Sequence, residues 1–100
     1  MDENDHHQTK IEIQLDKRRE LIFDLNSLCI LEERFGSPKK AYNKLEKMQM
    51  KTVRTFLYAG LSHYDDIKSE QQVGKMLEMR DMADVIDMMV KAFAEQFSEE

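Results

Sequence analysis

Residues able to serve as nucleophile, base or metal ligand are few in this chain. It has one cysteine, Cys29, and three histidines, His6, His7 and His63. Nucleophilic catalysis needs a nucleophile, an activating base and an orienting group within reach of one another. Cys29 lies between Leu28 and Ile30 in an apolar run, which reads as a small buried hydrophobe. His63 precedes Tyr64, Asp65 and Asp66, a setting in which acid–base work is conceivable but a solvated loop histidine is the simpler reading. His6 and His7 are adjacent, and neither a helix nor a strand aims adjacent side chains at one metal. Glu32-Glu33 and the spaced acids Asp81, Asp84 and Asp87 offer carboxylates, but hard cations need several oxygens converging on one point. A solvated acidic surface accounts for them equally well. Three glycines, Gly36, Gly60 and Gly74, make no phosphate loop, and one cysteine makes neither a zinc site nor an internal disulfide. The expectation is no catalytic residue, no metal and no cofactor.

Two other patterns carry more information. Lys40, Lys44, Lys47, Lys51 and Arg54 recur at i, i+4, i+7, i+11 and i+14, which on one continuous helix makes a single positive face. Phosphates would suit such a face, but the chain is acidic overall, at −5, and no aromatic–basic interleaving suggests base stacking. An acidic protein partner is the better functional reading, beside plain solubility, and a turn near Met50 would break the stripe. The second pattern is methionine. There are eight, and Met76, Met79, Met82, Met88 and Met89 cluster near the C-terminal helices. Methionine fills irregular core gaps and also makes pliable binding surfaces. Both readings stand, a soft core or a face that receives a helix of another chain.

The elements that must position these residues follow from hydropathy. The 100 residues are 41% hydrophobic and 35% charged, a balance for one globular domain with no membrane span. Charge is segregated: residues 1–33 carry −5, residues 34–64 carry +6 and residues 65–100 carry −6. Residues 1–8 read as a flexible acidic tail and residues 9–98 as the single domain. Ile11, Ile13 and Leu15 alternate with Lys10, Glu12 and Gln14, a half-buried strand, and residues 19–23 make a second strand after a turn. Leu28, Leu31 and Phe35 share a helical face that starts at Asp24 or Asn26. Gly36 then suits a left-handed C-terminal position, with Ser37 and Pro38 as N-cap and first residue of the next helix, running to about Met48. A third helix spans roughly Thr52 to His63, with Gly60 tolerated where another backbone packs closely. Ser69 caps a short helix, and a last helix starts near Asp81 with an apolar stripe through Val85, Ile86, Met89, Phe93 and Phe97. The fold class is α+β, mostly α: an N-terminal β-hairpin followed by about five short helices. Leu28, Leu31, Phe35, Phe56, Leu57, Val85, Met89 and Phe93 are expected to form most of the core.

The run from Glu20 to Gly36 resembles a pattern in the tail assembly chaperones of long-tailed bacteriophages and related gene transfer agents. There a strand leads into a helix start of aspartate or threonine, hydrophobic, asparagine, x, leucine, and the helix ends in Leu31-Glu32-Glu33-Arg34-Phe35-Gly36. The run from Val53 to His63, with Leu57-Tyr58-Ala59-Gly60-Leu61, and the run Ser69-Glu70-Gln71-Gln72-Val73-Gly74-Lys75-Met76-Leu77 resemble the family's later segments. The likeness spans about residues 10–97; the methionine-rich last third and the acidic tail depart from it. It implies a non-enzymatic role in the bacterial host cytoplasm, absent from the finished virion. The implied partners are the tape-measure protein, the tail-tube protein, or both, with self-association. Met76, Met79, Met82, Met88 and Met89 would contact the partner, and Lys40, Lys44, Lys47 and Lys51 would guide its acidic stretches. A head–tail joining protein, or a small regulatory domain binding nucleic acid through Lys40–Arg54, are the alternatives.

Overall fold

The computed structural model describes residues 9–97, with side chains described through residue 94. The expectations for residues 1–8, His6 and His7 among them, and for the Phe97 side chain lie outside the described residues. Strands β1 (Thr9–Gln14) and β2 (Arg18–Phe23) form an antiparallel hairpin in which Ile11 faces Leu21 and Ile13 faces Arg19. Five helices follow: α1 (Leu25–Phe35), α2 (Pro38–Glu46), α3 (Met50–Leu61), α4 (Glu70–Gly74) and α5 (Met82–Phe97), the last preceded by a 3-10 turn at Met79–Asp81. The chain is therefore α+β and mostly α, as its hydropathy predicts.

Each boundary has a local cause. Asp24 accepts a hydrogen bond from the Ser27 N–H at 3.1 Å and caps α1, while the Ser27 hydroxyl donates to the Ile22 carbonyl at 2.8 Å and ties the helix to β2. Gly36 ends α1 with φ at +95° and donates its N–H to the Glu32 carbonyl. Ser37 caps α2 by accepting from the Lys40 N–H, with Pro38 in the first turn. A side chain at Gly36 would meet only the Lys40 stem at 3.6 Å, so backbone conformation alone demands glycine there. Gly36→Val is expected to cost about 1–2 kcal/mol, and Lys39→Val clearly less, by urea midpoints. A Gly36→Val midpoint equal to wild type would contradict this.

The hairpin's inner face, Ile11, Ile13, Leu21 and Phe23, packs on α3 and α5. Leu31, Ala41, Tyr42, Leu45, Val53, Phe56, Leu57, Ala59, Leu61, Ile67, Val73, Val85, Ile86, Met89 and Phe93 complete the buried core. Of the expected core residues, Leu28 and Phe35 are only half-buried at its margin. Cys29 departs from expectation: it is exposed. Leu28 and Leu31 lie three apart on the inward face of α1, and a residue one position after Leu28 turns about 100° away from it. Gly60 also differs. The groups crowding it are the Phe23 ring and Leu21 Cβ, side chains of β2 rather than another backbone.

The basic stripe is broken by a turn, the alternative that the sequence left open. α2 stops at Glu46, and Lys47 and Met48 form a turn before α3 begins at Met50. Met48 adopts a left-handed φ of +59°. Lys40 and Lys44 thus sit on α2, Lys47 at its end, and Lys51 and Arg54 on α3. The five do not share one helical face.

Candidate functional site

A depression opens between α3, α4 and the start of α5, with a volume of about 320 Å³. Val53 and Leu57 of α3 and Val73 of α4 are buried and form its floor. Met50, Leu77, Met79 and Met82 form its apolar walls, and Lys51 and Arg54 bring positive charge to one side. Met79 is 73% exposed and Met50 54%, so the groove's rim presents adjoining apolar side chains to solvent. A second depression of about 210 Å³, lined by Glu46, Met48, Ala83, Ile86, Asp87 and Val90, lies beside it. Met48 lines one and Met50 the other; Met82 lines one and Ala83 the other. The two are neighbours across the 47–49 turn and the first turn of α5.

Helix α4 is short, and charge holds it in place as the groove's wall. Ser69 caps it, accepting from the Gln72 N–H at 3.1 Å. Gln72 in turn accepts from the Lys68 N–H and donates to the Asp66 carbonyl, which locks the preceding loop. Glu70, nearly buried, is ion-paired with Arg34 of α1 and with Arg54 of α3, whose Nε stands 3.5 Å from its carboxylate. A side chain at Gly74 would touch the Arg54 stem at 3.3 Å, so the small residue leaves that stem its path along the groove.

The methionines divide. Met79 and Met82 line the groove, joined by Met50, which the sequence pattern did not single out as a contact. Met89 is fully buried beneath α5 and is not a surface residue. Its place in the stripe, between Val85 and Phe93, is the physical reason. Met76 and Met88 are half-buried, packed on the core, and line neither depression. Lys40, Lys44, Lys47 and Lys51 are all exposed, but only Lys51 borders the groove.

A second polar cluster lies at the far end of the hairpin. Arg19 is buried on the inner face of β2, and its guanidinium donates to Asp16 at 2.8 Å and to Asp66 at 2.8 and 3.1 Å. It also lies 4.8 Å over the Tyr64 ring. Tyr64 Oη accepts from the Glu20 N–H and His63 Nε2 donates to the Glu20 carbonyl, both at 2.8 Å. His63, exposed in the loop as expected, also holds the β2 backbone. The alternation that buries Leu21 and Phe23 also turns Arg19 inward, a signal present in the sequence.

The Arg19 hydrogen bonds lower the Asp16 carboxyl to about 2 and also lower that of Asp66. A carboxyl depressed by folding stabilises above its unfolded value, near 3.8, and loses that contribution as pH falls toward the folded value. Stability should therefore decline from about pH 4 to about pH 2, modestly because both carboxylates are partly solvated. Asp16→Asn should flatten the decline in urea midpoints measured across that range. An equally steep decline in the variant would contradict the assignment.

Among the described residues no group of three or more His, Cys, Asp or Glu side chains is placed to hold a metal ion, and no helix is long and apolar enough to cross a membrane. Comparison with protein-family models, curated proteins and solved structures gives no match.

Proposed function

We propose that the chain is a non-enzymatic tail assembly chaperone of a phage or prophage, whose groove receives an amphipathic helix of the tape-measure protein. The observation that carries this reading is the methionine-walled groove with cations on one side. A long helical precursor exposes apolar seam positions before it meets its own partners. A helix laid in a groove is anchored by residues spaced three and four apart, and flexible methionine walls accept varied anchors. A groove of about 320 Å³ has room for a short row of large apolar side chains, with the helix backbone outside. Lys51 and Arg54 favour a client with acids beside its apolar seam, and Lys40, Lys44 and Lys47 extend the positive field along α2 and the turn. The resemblance through Leu31–Gly36, Val53–His63 and Ser69–Leu77 supports the same role, in the host cytoplasm.

Co-expression with the tape-measure protein of the same element tests the proposal. Soluble recovery of that protein should depend on this chain and fall severalfold with Met79→Asp. Leu25→Asp is the control, since Leu25 is equally exposed, at 76%, and lies outside the groove. Salt should slow association more than it speeds release. Recovery that is unchanged without the chain, or that falls equally in both variants, would sink the groove assignment. Rescue of the tail-tube protein instead would move the client within the same role.

A further inference from the structure

The two edges of the hairpin are treated differently. On β2 the N–H and C=O of Glu20 point away from β1 and are closed by Tyr64 Oη and His63 Nε2, and the Ile22 carbonyl is closed by the Ser27 hydroxyl. Because Glu20 faces Glu12 in the register, the N–H and C=O of Glu12 also point outward, from the opposite edge. Those of Lys10 and Gln14 share that direction, and among the described residues no hydrogen bond reaches any of the three backbones. The side chains of Lys10, Glu12 and Gln14 are exposed. β1 thus presents an open template on one side, while its partner strand is sealed.

We propose that the outer edge of β1 pairs antiparallel with β1 of a second copy, extending the hairpin into a continuous four-stranded sheet. The occupant is indicated by self-complementarity. With the two-fold axis at Ile11, Lys10 of each copy faces Glu12 of the other. These are positions whose backbone groups point outward, so each pair exchanges both of its hydrogen bonds. Opposite charges then meet on the solvent face, and Ile11 meets Ile11 on the side that carries the core. Glu12 is already drawn to Arg18 of its own hairpin at 2.5 Å and remains two-thirds exposed, leaving an oxygen for the incoming lysine. A two-stranded sheet is a marginal unit, and doubling it satisfies the open backbone. A six-residue edge is a small interface, so the dimer should be reversible, with a dissociation constant on the order of micromolar. Such a dimer carries the groove twice and can hold one long helical client at two points. That consequence rests on the chaperone reading; the pairing does not.

Sedimentation velocity of the purified chain over a concentration series tests the pairing, with circular dichroism checking each variant's fold. Wild type should pass from monomer to dimer. Lys10→Glu sets Glu against Glu and Glu12→Lys sets Lys against Lys, so each alone should weaken the dimer roughly tenfold or more. Mixed, the two variants place opposite charges on both sides of the axis and should heterodimerise. Hydrogen exchange should show the Lys10 and Glu12 amides protected only as the dimer forms. A wild-type monomer throughout overturns the proposal. So does a dimer that ignores both substitutions, or a mixture that stays monomeric. Because no client is present, failure here leaves the groove experiment standing, and the converse holds.

Discussion

Phe56→Ala is expected to cost about 3–5 kcal/mol, a large share of the roughly 5–15 kcal/mol that holds a domain of this size together. Phe56 of α3, Phe23 of β2 and Phe93 of α5 form a closed trio. Ring centroids are 4.9 Å apart for Phe23–Phe93, 5.6 Å for Phe56–Phe93 and 6.1 Å for Phe23–Phe56. Two of the contacts are edge-to-face, the arrangement that sets a positive ring edge on a negative ring face. Each ring belongs to a different element, so truncating one leaves a cavity that no single element can close by shifting. Phe35→Ala, at the half-buried end of α1, should cost less. Urea midpoints at neutral pH decide the matter: equal losses at the two positions would reject the trio as the centre of the core.

Gly60→Ala should destabilise by about 1–3 kcal/mol, against the direction that helix propensity gives. In an open helix the exchange gains about 1 kcal/mol. Here the new methyl carbon would stand 2.8 Å from the Phe23 ring and 3.0 Å from Leu21 Cβ, closer than carbon atoms approach one another. Leu21 and Phe23 are themselves buried, so relief requires moving the strand from the helix or the ring from its trio. A thermal midpoint that rises in Gly60→Ala would show that β2 has slack to move. Gly74→Ala meets only the Arg54 stem at 3.3 Å and should be far milder.

What the sequence made legible was whatever local periodicity or a local cap encodes. Alternation placed Ile11 and Ile13 on one face of the first strand, and the Gly36-Ser37-Pro38 run marked a helix end and a helix start that the backbone confirms. The 47–49 turn left no comparable mark. It contains neither glycine nor proline, and its left-handed residue is a methionine, so the sequence left open whether the lysine spacing continues across it. The groove was only partly visible, because its floor is drawn from α3 and α4 and its walls from four separate segments. Which methionine turns outward depends on that assembly. Met89 was expected both in the core and at the partner face, and its spacing from Val85 and Phe93 is what puts it in the first. For Arg19 the alternation signalled the inward position but not its partners: the charged side chain is accommodated by Asp16, Asp66 and Tyr64, the last two some forty-five residues distant.

Met48 gives the groove region an inherent tension. A left-handed backbone at an ordinary residue costs about 1–2 kcal/mol relative to glycine, and nothing buried in the core offsets that here, because the side chain is 55% exposed. Folding stability alone would favour glycine or asparagine at this position. The methionine instead projects a flexible apolar side chain along the second depression. The turn is thus a local concession of rigidity to surface chemistry, and a chain optimised only for its melting temperature would lose the apolar side chain that lines the second depression at position 48.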